Sequence, residues 1–285
     1  MAITGKYRGR IEQAITVSYV RVMKRFPAIR KMEDRLIRSY IEVLTNWRQK
    51  NWQDRALPDF LIIGGMKCGT TSLFKYLGQH PQLFSSTHKE IWYFSHDEFY
   101  SRGEKWYRIH FPLLKDIPPD SQVFEASPDY LFRPKAAQRV ADLLPDIKLI
   151  ALLRNPTERA ISHYFHDVKK GRRPGDILGA IQDEHTKYRP KGMYKNQLEK
   201  YFNHFKADNI LIINSEEFFE HPSRTLKEVY RFLGVDADFE IGDLSPKQVG
   251  FNREPVDAAV YDYLNDYYKP HNEALFRLIG KSFDW

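Results

Sequence analysis

The sequence predicts an α/β fold of three layers, a central and mainly parallel sheet flanked by helices, preceded by a helical N-terminal extension. Three observations lead there. Short apolar runs rich in β-formers, at Phe60 to Ile63, Lys148 to Arg154 and Asn209 to Asn214, are too brief for helices and read as buried parallel strands. Segments of helical spacing alternate with them, which is the order a parallel sheet with right-handed crossovers requires. Ahead of Leu57-Pro58, the one plausible boundary, the chain changes character: residues 1–57 hold 13 Lys/Arg against 5 Asp/Glu, or +8, leaving −1 for the other 228 residues.

In order, the extension (1–57) places Ile29, Met32, Leu36, Tyr40, Val43, Leu44 and Trp47 at helical spacing, and Pro27 separates this helix from an earlier one. In the domain at 58–285, the first strand ends at Gly64 and Gly65. A helix follows over Thr70 to Leu77, with Leu73, Phe74 and Leu77 on one side, until His80-Pro81 stops it. Val123 to Ala126 is a second short strand that turns out through Ser127-Pro128-Asp129, and Pro134 to Leu144 reads as a helix. Lys148 to Arg154 is the clearest strand. Asn155 caps the next helix, with Pro156 in its first turn, and the helix runs to about Lys170. A polar stretch, 171–193, is loop or short helix that lies over the site. Tyr194 to Phe205 and Ser223 to Leu233 read as helices, the latter closed by Gly234. Two more, Val256 to Tyr268 and His271 to Ile279, flank Pro270.

The 285 residues, 42% hydrophobic and 28% charged, suffice for a full core. No apolar run approaches a membrane span, and the charged first 30 residues lack the centre of a signal peptide. One cysteine forms no internal disulfide, so the expectation is a cytoplasmic enzyme. The net +7 does not name a nucleic-acid partner, which would need a docking motif beside the charge. Two readings of the basic extension stay open: packing of its apolar stripe on the domain, or peripheral contact with an anionic membrane or an acidic partner.

The chemistry centres on Asp59 to Leu77. Strand, glycine turn and helix make a phosphate cradle, because the free N–H groups and dipole of a helix start favour an anion. Lys67 adds a charge, and Thr70, Thr71 and Ser72 add hydroxyls; Cys68 reads as a small filler. A Walker A loop would place its lysine directly after the second glycine, and here Lys67 precedes Gly69 by two. A cysteine phosphatase loop would need arginine where Phe74 stands. A second constellation begins at Arg154, whose guanidinium fork suits phosphate; Ser162 lies about two helical turns further on. Ligands of open α/β sheets sit beyond the carboxyl ends of strands, where Lys67, Asp129, Arg154 and Ser215 all fall. No cluster has metal-ligand spacing.

The pair Lys67-Cys-Gly-Thr-Thr-Ser72 and Leu153-Arg-Asn-Pro to Arg159-Ala-Ile-Ser162-His-Tyr164 resembles the two nucleotide sites of sulfotransferases that use 3′-phosphoadenosine 5′-phosphosulfate (PAPS). The heparan sulfate sulfotransferase branch is similar also in Lys89-Glu-Ile-Trp-Tyr-Phe94 and Tyr267-Tyr-Lys-Pro-His-Asn272, over roughly residues 58–280. The resemblance implies a P-loop-like fold and transfer of a sulfuryl group from PAPS, without a metal, to a hydroxyl or amine of a small molecule, lipid or glycan. It implies that Lys67 to Thr71, with Ser72 beside them, hold the 5′-phosphosulfate, and that Arg154 and Ser162 hold the 3′-phosphate. Glu90 falls at the catalytic base and Lys67 at the leaving phosphate, while Trp92, Tyr93, Phe94, Asp129 and His163 fall towards the acceptor; His163 and His166 are rival bases. Two departures stand out. The branch tends to carry lysine where this chain has Ala126, and a disulfide-closed hairpin where this chain has Pro246 to Arg253. From that last segment Gly250 and one basic neighbour, Lys247 or Arg253, carry over to the nucleotide. The alternatives are a P-loop-type kinase or NTPase, needing an acid for Mg²⁺ after a buried strand, and a non-catalytic anion- or nucleic-acid-binding protein.

Overall fold

Five short apolar runs pair side by side into one parallel sheet in the computed structural model, which describes residues 48–172, 176–245 and 255–285. The strands are β1 (Phe60–Gly64), β2 (Leu83–Ser85), β3 (Gln122–Ala126), β4 (Lys148–Leu153) and β5 (Ile210–Asn214). Their order is β2-β3-β1-β4-β5, every pairing parallel. Parallel strands share one direction, so the chain leaves β1, β3, β4 and β5 along the same edge. That edge collects the loops starting at Gly65, Ser127, Arg154 and Ser215.

The runs are strands because both faces are buried. Leu61, Ile63, Leu149, Ala151 and Leu153 enter one core, and Phe60, Ile62, Ile150, Leu152 and Ile213 enter the other. Alternate residues thus face opposite layers, as the period of 2 demands. The first face is covered by α4 (Ala136–Leu143), α7 (Tyr194–Phe202) and the end of α10 (Ala258–Ile279), through residues such as Val140, Leu198, Tyr201 and Leu275. The second is covered by α1 (Thr70–Leu77) and α9 (Pro222–Leu233), through Leu73, Tyr76, Leu226, Val229 and Leu233. A third apolar cluster joins α5 (Pro156–Lys169), α6 (Ile177–Gln182) and α10 beside the sheet edge.

Local chemistry sets the ends. The Asn155 side chain accepts from the Thr157 and Glu158 N–H groups with Pro156 at the first position, and Gly234 closes α9 in the left-handed region. Two readings change. The edge strand β2 is absent from the sequence-based list, since three residues are too few to show a period. The two helices expected around Pro270 are one continuous helix, α10. A proline removes one backbone donor, and burial of Val260, Leu264, Tyr268 and Leu275 on both sides of it holds the axis together. The helical extension falls mostly on residues 1–47, outside the described residues. Residues just before the domain contact it: Arg48 donates to the Ile109 and Phe111 carbonyls, and Arg55 Nη1 donates to the Phe111 carbonyl at 2.8 Å. Among the described residues no helix is long and apolar enough to cross a membrane.

Candidate active site

The loop between β1 and α1 is clamped to β4. Gly65 N–H donates to the Leu152 carbonyl at 2.6 Å, and the Ser215 hydroxyl donates to the Cys68 carbonyl at 2.8 Å. Its glycines allow that fit. A Cβ on Gly64 would lie 2.5 Å from Leu131 Cβ, and Gly69 adopts φ +94°, a region that favours glycine. Lys67 itself has φ 70°. Gly69 caps α1 and, being glycine, offers no side-chain hydrogen bond to the helix start. Thr70 is buried and Thr71 half-buried beside it, and Ser72 is buried.

Arg154 leaves β4 next to this loop. Its Nη1 lies 3.5 Å from the Lys67 carbonyl oxygen, its Nη2 lies 3.2 Å from Glu158, and Glu216 stands 4.0 Å from Nε. Lys67 is held below the ordinary lysine range, first by burial and then by the positive charges of Arg154, Lys170 and Lys169; the Cys68 thiol acts weakly the other way. On α5, Glu158, Ser162 and His166 recur every four residues, a single stripe. Glu158 at its start pairs with Arg154, and His166 at its end feels Lys67 and Lys170. The half-buried Ser162 therefore lies on the stripe that borders the loop.

Glu90 sits at the end of β3, one strand from the loop. Its N–H donates to the Ala126 carbonyl at 2.8 Å, its φ is 69°, and its carboxylate pairs with Lys89 Nζ at 2.6 Å. Two residues on, Trp92 is 38% exposed with φ 59°. The other aromatics of that run are buried: Tyr93 is 3% and Phe94 0% exposed, both packed on Tyr107.

Asp129 lies beyond β3 as expected and is saturated with partners, Lys191 at 2.8 Å and Arg133 at 2.6 Å. Those cations hold its carboxyl below the usual range although burial alone would raise it. His163 is 6% exposed, against Tyr188 and 3.6 Å from Asp167; burial and then the Arg159 and Lys191 charges push it down to about 2, so the ring is neutral. An imidazole held that low is a poor acceptor of a proton. Lys247, Gly250 and Arg253 lie outside the described residues.

Three residues escaped the sequence reading. Lys191 Nζ, from the polar stretch, approaches Met66 Sδ to 3.2 Å beside Asp129. Tyr194 donates its hydroxyl to the Arg154 carbonyl at 2.9 Å and stands 3.6 Å from Cys68 Sγ, tying both anion loops together. Glu125, wholly buried at the end of β3, accepts from Tyr107, Tyr130 and Ser127 at 2.7, 2.8 and 2.9 Å. A carboxylate inside an apolar β-run was the available signal.

A glycine-loop helix start and a strand-end arginine stand side by side on a parallel sheet, an arrangement of an α/β protein that suits an anion. The chain belongs to the sulfotransferase family, whose members use PAPS: the family model described as the sulfotransferase domain matches residues 57–264. It is similar to a crystal structure of a sulfotransferase from Alicyclobacillus acidocaldarius, at 31% identity and TM-score 0.69, over 80% of this chain and 98% of that one. It is also similar to the membrane-associated sulfotransferase kil1 of Dictyostelium discoideum, 26% identical over 80% of this chain and 66% of the relative. The human bifunctional heparan sulfate N-deacetylase/N-sulfotransferase 3 is 28% identical over 82% of this chain and 31% of its own length. The chain thus spans less than two thirds of each of those two curated relatives. The expectation of a cytoplasmic enzyme is overturned by the membrane-associated relative.

Proposed function

We propose that the chain transfers a sulfuryl group from PAPS to a hydroxyl or amine acceptor, with Lys67, Glu90 and Arg154 as the principal residues. The observation that supports this best is the gathering of cations at a glycine-capped helix start: the charges of Arg154, Lys170 and Lys169 act on Lys67 in that loop. The residues fit the nucleotide. Lys67 with Cys68, Gly69, Thr70 and Thr71 would hold the 5′-phosphosulfate end, Ser72 supporting the turn from beneath, and Arg154 with Ser162 would hold the 3′-phosphate.

PAPS supplies the sulfuryl group and a phosphate leaving group. Lys67 places its ammonium where charge grows on the departing oxygen, which stabilises the transition state more than the ground state. Glu90, partly exposed at the neighbouring strand end, takes the acceptor's proton. Trp92 offers a flat apolar face beside that base, suited to a sugar or other ring, and Asp129, saturated by Lys191 and Arg133, shapes the same side. His163 lines the cleft as a neutral group. The acceptor class read here is a glycan, lipid or small molecule bearing a hydroxyl or amine. No described residue supports a nucleic-acid partner in preference.

The test is an assay with labelled PAPS against matched acceptors, de-N-sulfated heparan chains for amines and fully N-sulfated chains plus pooled small alcohols for hydroxyls, with mass spectrometry of the products. Label transfer to either supports the reading. Label transfer to none, with no binding of adenosine 3′,5′-bisphosphate, contradicts it.

A further inference from the structure

The polar stretch before α7 brings one ammonium to the loop between β1 and α1. Lys191 sits in a short turn, Pro190–Gly192, whose backbone is held by α7 and α10. The Tyr268 hydroxyl donates to the Arg189 carbonyl at 2.9 Å, and Gln197 Nε2 donates to the Pro190 carbonyl at 3.1 Å. Gly192 lies so close to Tyr268 that a Cβ there would stand 2.6 Å from the hydroxyl oxygen. A turn fixed this way aims its side chain. Lys191 Nζ comes to 3.2 Å from Met66 Sδ, one residue before Lys67.

The ammonium is incompletely served there. It carries three N–H donors, and its side chain is only 12% exposed. Among the described residues it has one strong acceptor, Asp129 Oδ1 at 2.8 Å. Its other contacts are the Met66 thioether, a weak acceptor, and the Phe132 ring at 5.2 Å. Asp129 is itself shared, since its second oxygen accepts from Arg133 Nε at 2.6 Å. Two cations thus stand against one carboxylate beside the turn that holds Lys67. A largely buried ammonium in that state gains from contact with an anionic oxygen.

We propose that Lys191 is a further donor-binding residue, its ammonium hydrogen-bonding an oxygen of the sulfuryl group of PAPS. This rests on the reading of the loop as the site of the 5′-phosphosulfate and of Glu90 as base. The sheet order supports the sulfuryl end over the 3′-phosphate. Strands β3 and β4 flank β1 on opposite sides, and Arg154 leaves β4. Lys191 pairs instead with Asp129, which follows β3, the strand whose Ala126 carbonyl accepts from Glu90 N–H. The group to be transferred must lie between Lys67 and Glu90, on that β3 side. Lys191 makes and breaks no bond. It holds the sulfur in line between the acceptor atom and the bridging oxygen, a matter of orientation.

The test is calorimetry of the full chain, without acceptor, with two ligands: PAPS, and adenosine 3′,5′-bisphosphate, which lacks the sulfuryl group. Lys191→Met should weaken PAPS about 10- to 100-fold, the range for one charge-assisted hydrogen bond, and leave the bisphosphate within about twofold. A merely structural role would distort the loop and weaken both ligands alike, and that result overturns the proposal. Unchanged affinity for both overturns it as well, including where KM rises for an acceptor that already carries sulfate, because the ammonium then serves the acceptor. Should Lys191→Met not fold, Lys191→Gln decides: it keeps an N–H group for Asp129 without the charge, and the same split between the ligands must appear. Failure of the donor reading looks different, since the parent itself would then bind neither ligand.

Discussion

The Arg154 guanidinium reaches across the sheet edge to the backbone of Lys67, Nη1 lying 3.5 Å from the Lys67 carbonyl oxygen. Two segments 87 residues apart thereby meet at one sheet edge, where the proposed nucleotide site lies. Tyr194 locks the arrangement from below through the Arg154 carbonyl and Cys68. Removing its hydroxyl in Tyr194→Phe should weaken adenosine 3′,5′-bisphosphate binding by about three- to tenfold, the worth of one net hydrogen bond. Calorimetry checks this, and far-ultraviolet circular dichroism should be unchanged.

Glu90→Gln should keep bisphosphate affinity and lose turnover by roughly 10²- to 10⁴-fold, the range for a general base. Steady-state kinetics beside a binding titration separates the two effects. Equal loss of both would mean that Glu90 acts on the loop rather than on the acceptor.

Trp92 and Tyr93 are neighbours with opposite expectations. Trp92→Ala should raise the acceptor KM and cost less stability than Tyr93→Ala, because its ring is 38% exposed. Tyr93→Ala removes a buried ring stacked on Tyr107 and should cost about 3–5 kcal/mol in denaturant unfolding.

How much of this was legible beforehand follows from where the signal resides. The parallel sheet was readable because β1, β4 and β5 are buried on both faces and so appear as unbroken apolar runs. Lys67 and Arg154 were readable because a glycine turn and an Asn-Pro helix start mark strand ends locally. Lys191, Tyr194 and Glu125 were not, since each acts through partners far off in sequence, such as Met66, Arg154 and Tyr107. Tyr93 and Phe94 are buried, yet an aromatic run looks the same in sequence whether it lines a cleft or fills a core.

Bisphosphate binding should weaken on the alkaline side at a lower pH than an ordinary lysine would dictate. Lys67 is depressed by burial, Arg154, Lys170 and Lys169, so it loses its proton, and with it the attraction for an anion, as pH rises through that lowered value. Arg154→Ala removes one repelling cation and should move the alkaline limb to higher pH even as overall affinity falls. Titrations between pH 7 and 10 give both results.

Stability should depend on Glu125 with a definite sign. Its folded value, about 7, is raised above 4.5, so its contribution is fully present below 4.5 and is lost as pH rises through 7. The parent should therefore lose about 3 kcal/mol relative to Glu125→Gln between pH 4.5 and 7. Urea unfolding of both proteins across that window reads the difference.

The most direct test of the account is a calorimetric titration of adenosine 3′,5′-bisphosphate into the parent, Lys67→Ala, Arg154→Ala and the double variant. If both side chains grip one nucleotide, the parent binds a single equivalent. Each single variant then weakens it by roughly 10- to 100-fold, as for charge-assisted hydrogen bonds, and the double variant weakens it further. Undiminished binding in either single variant, or a stoichiometry of two, would contradict it.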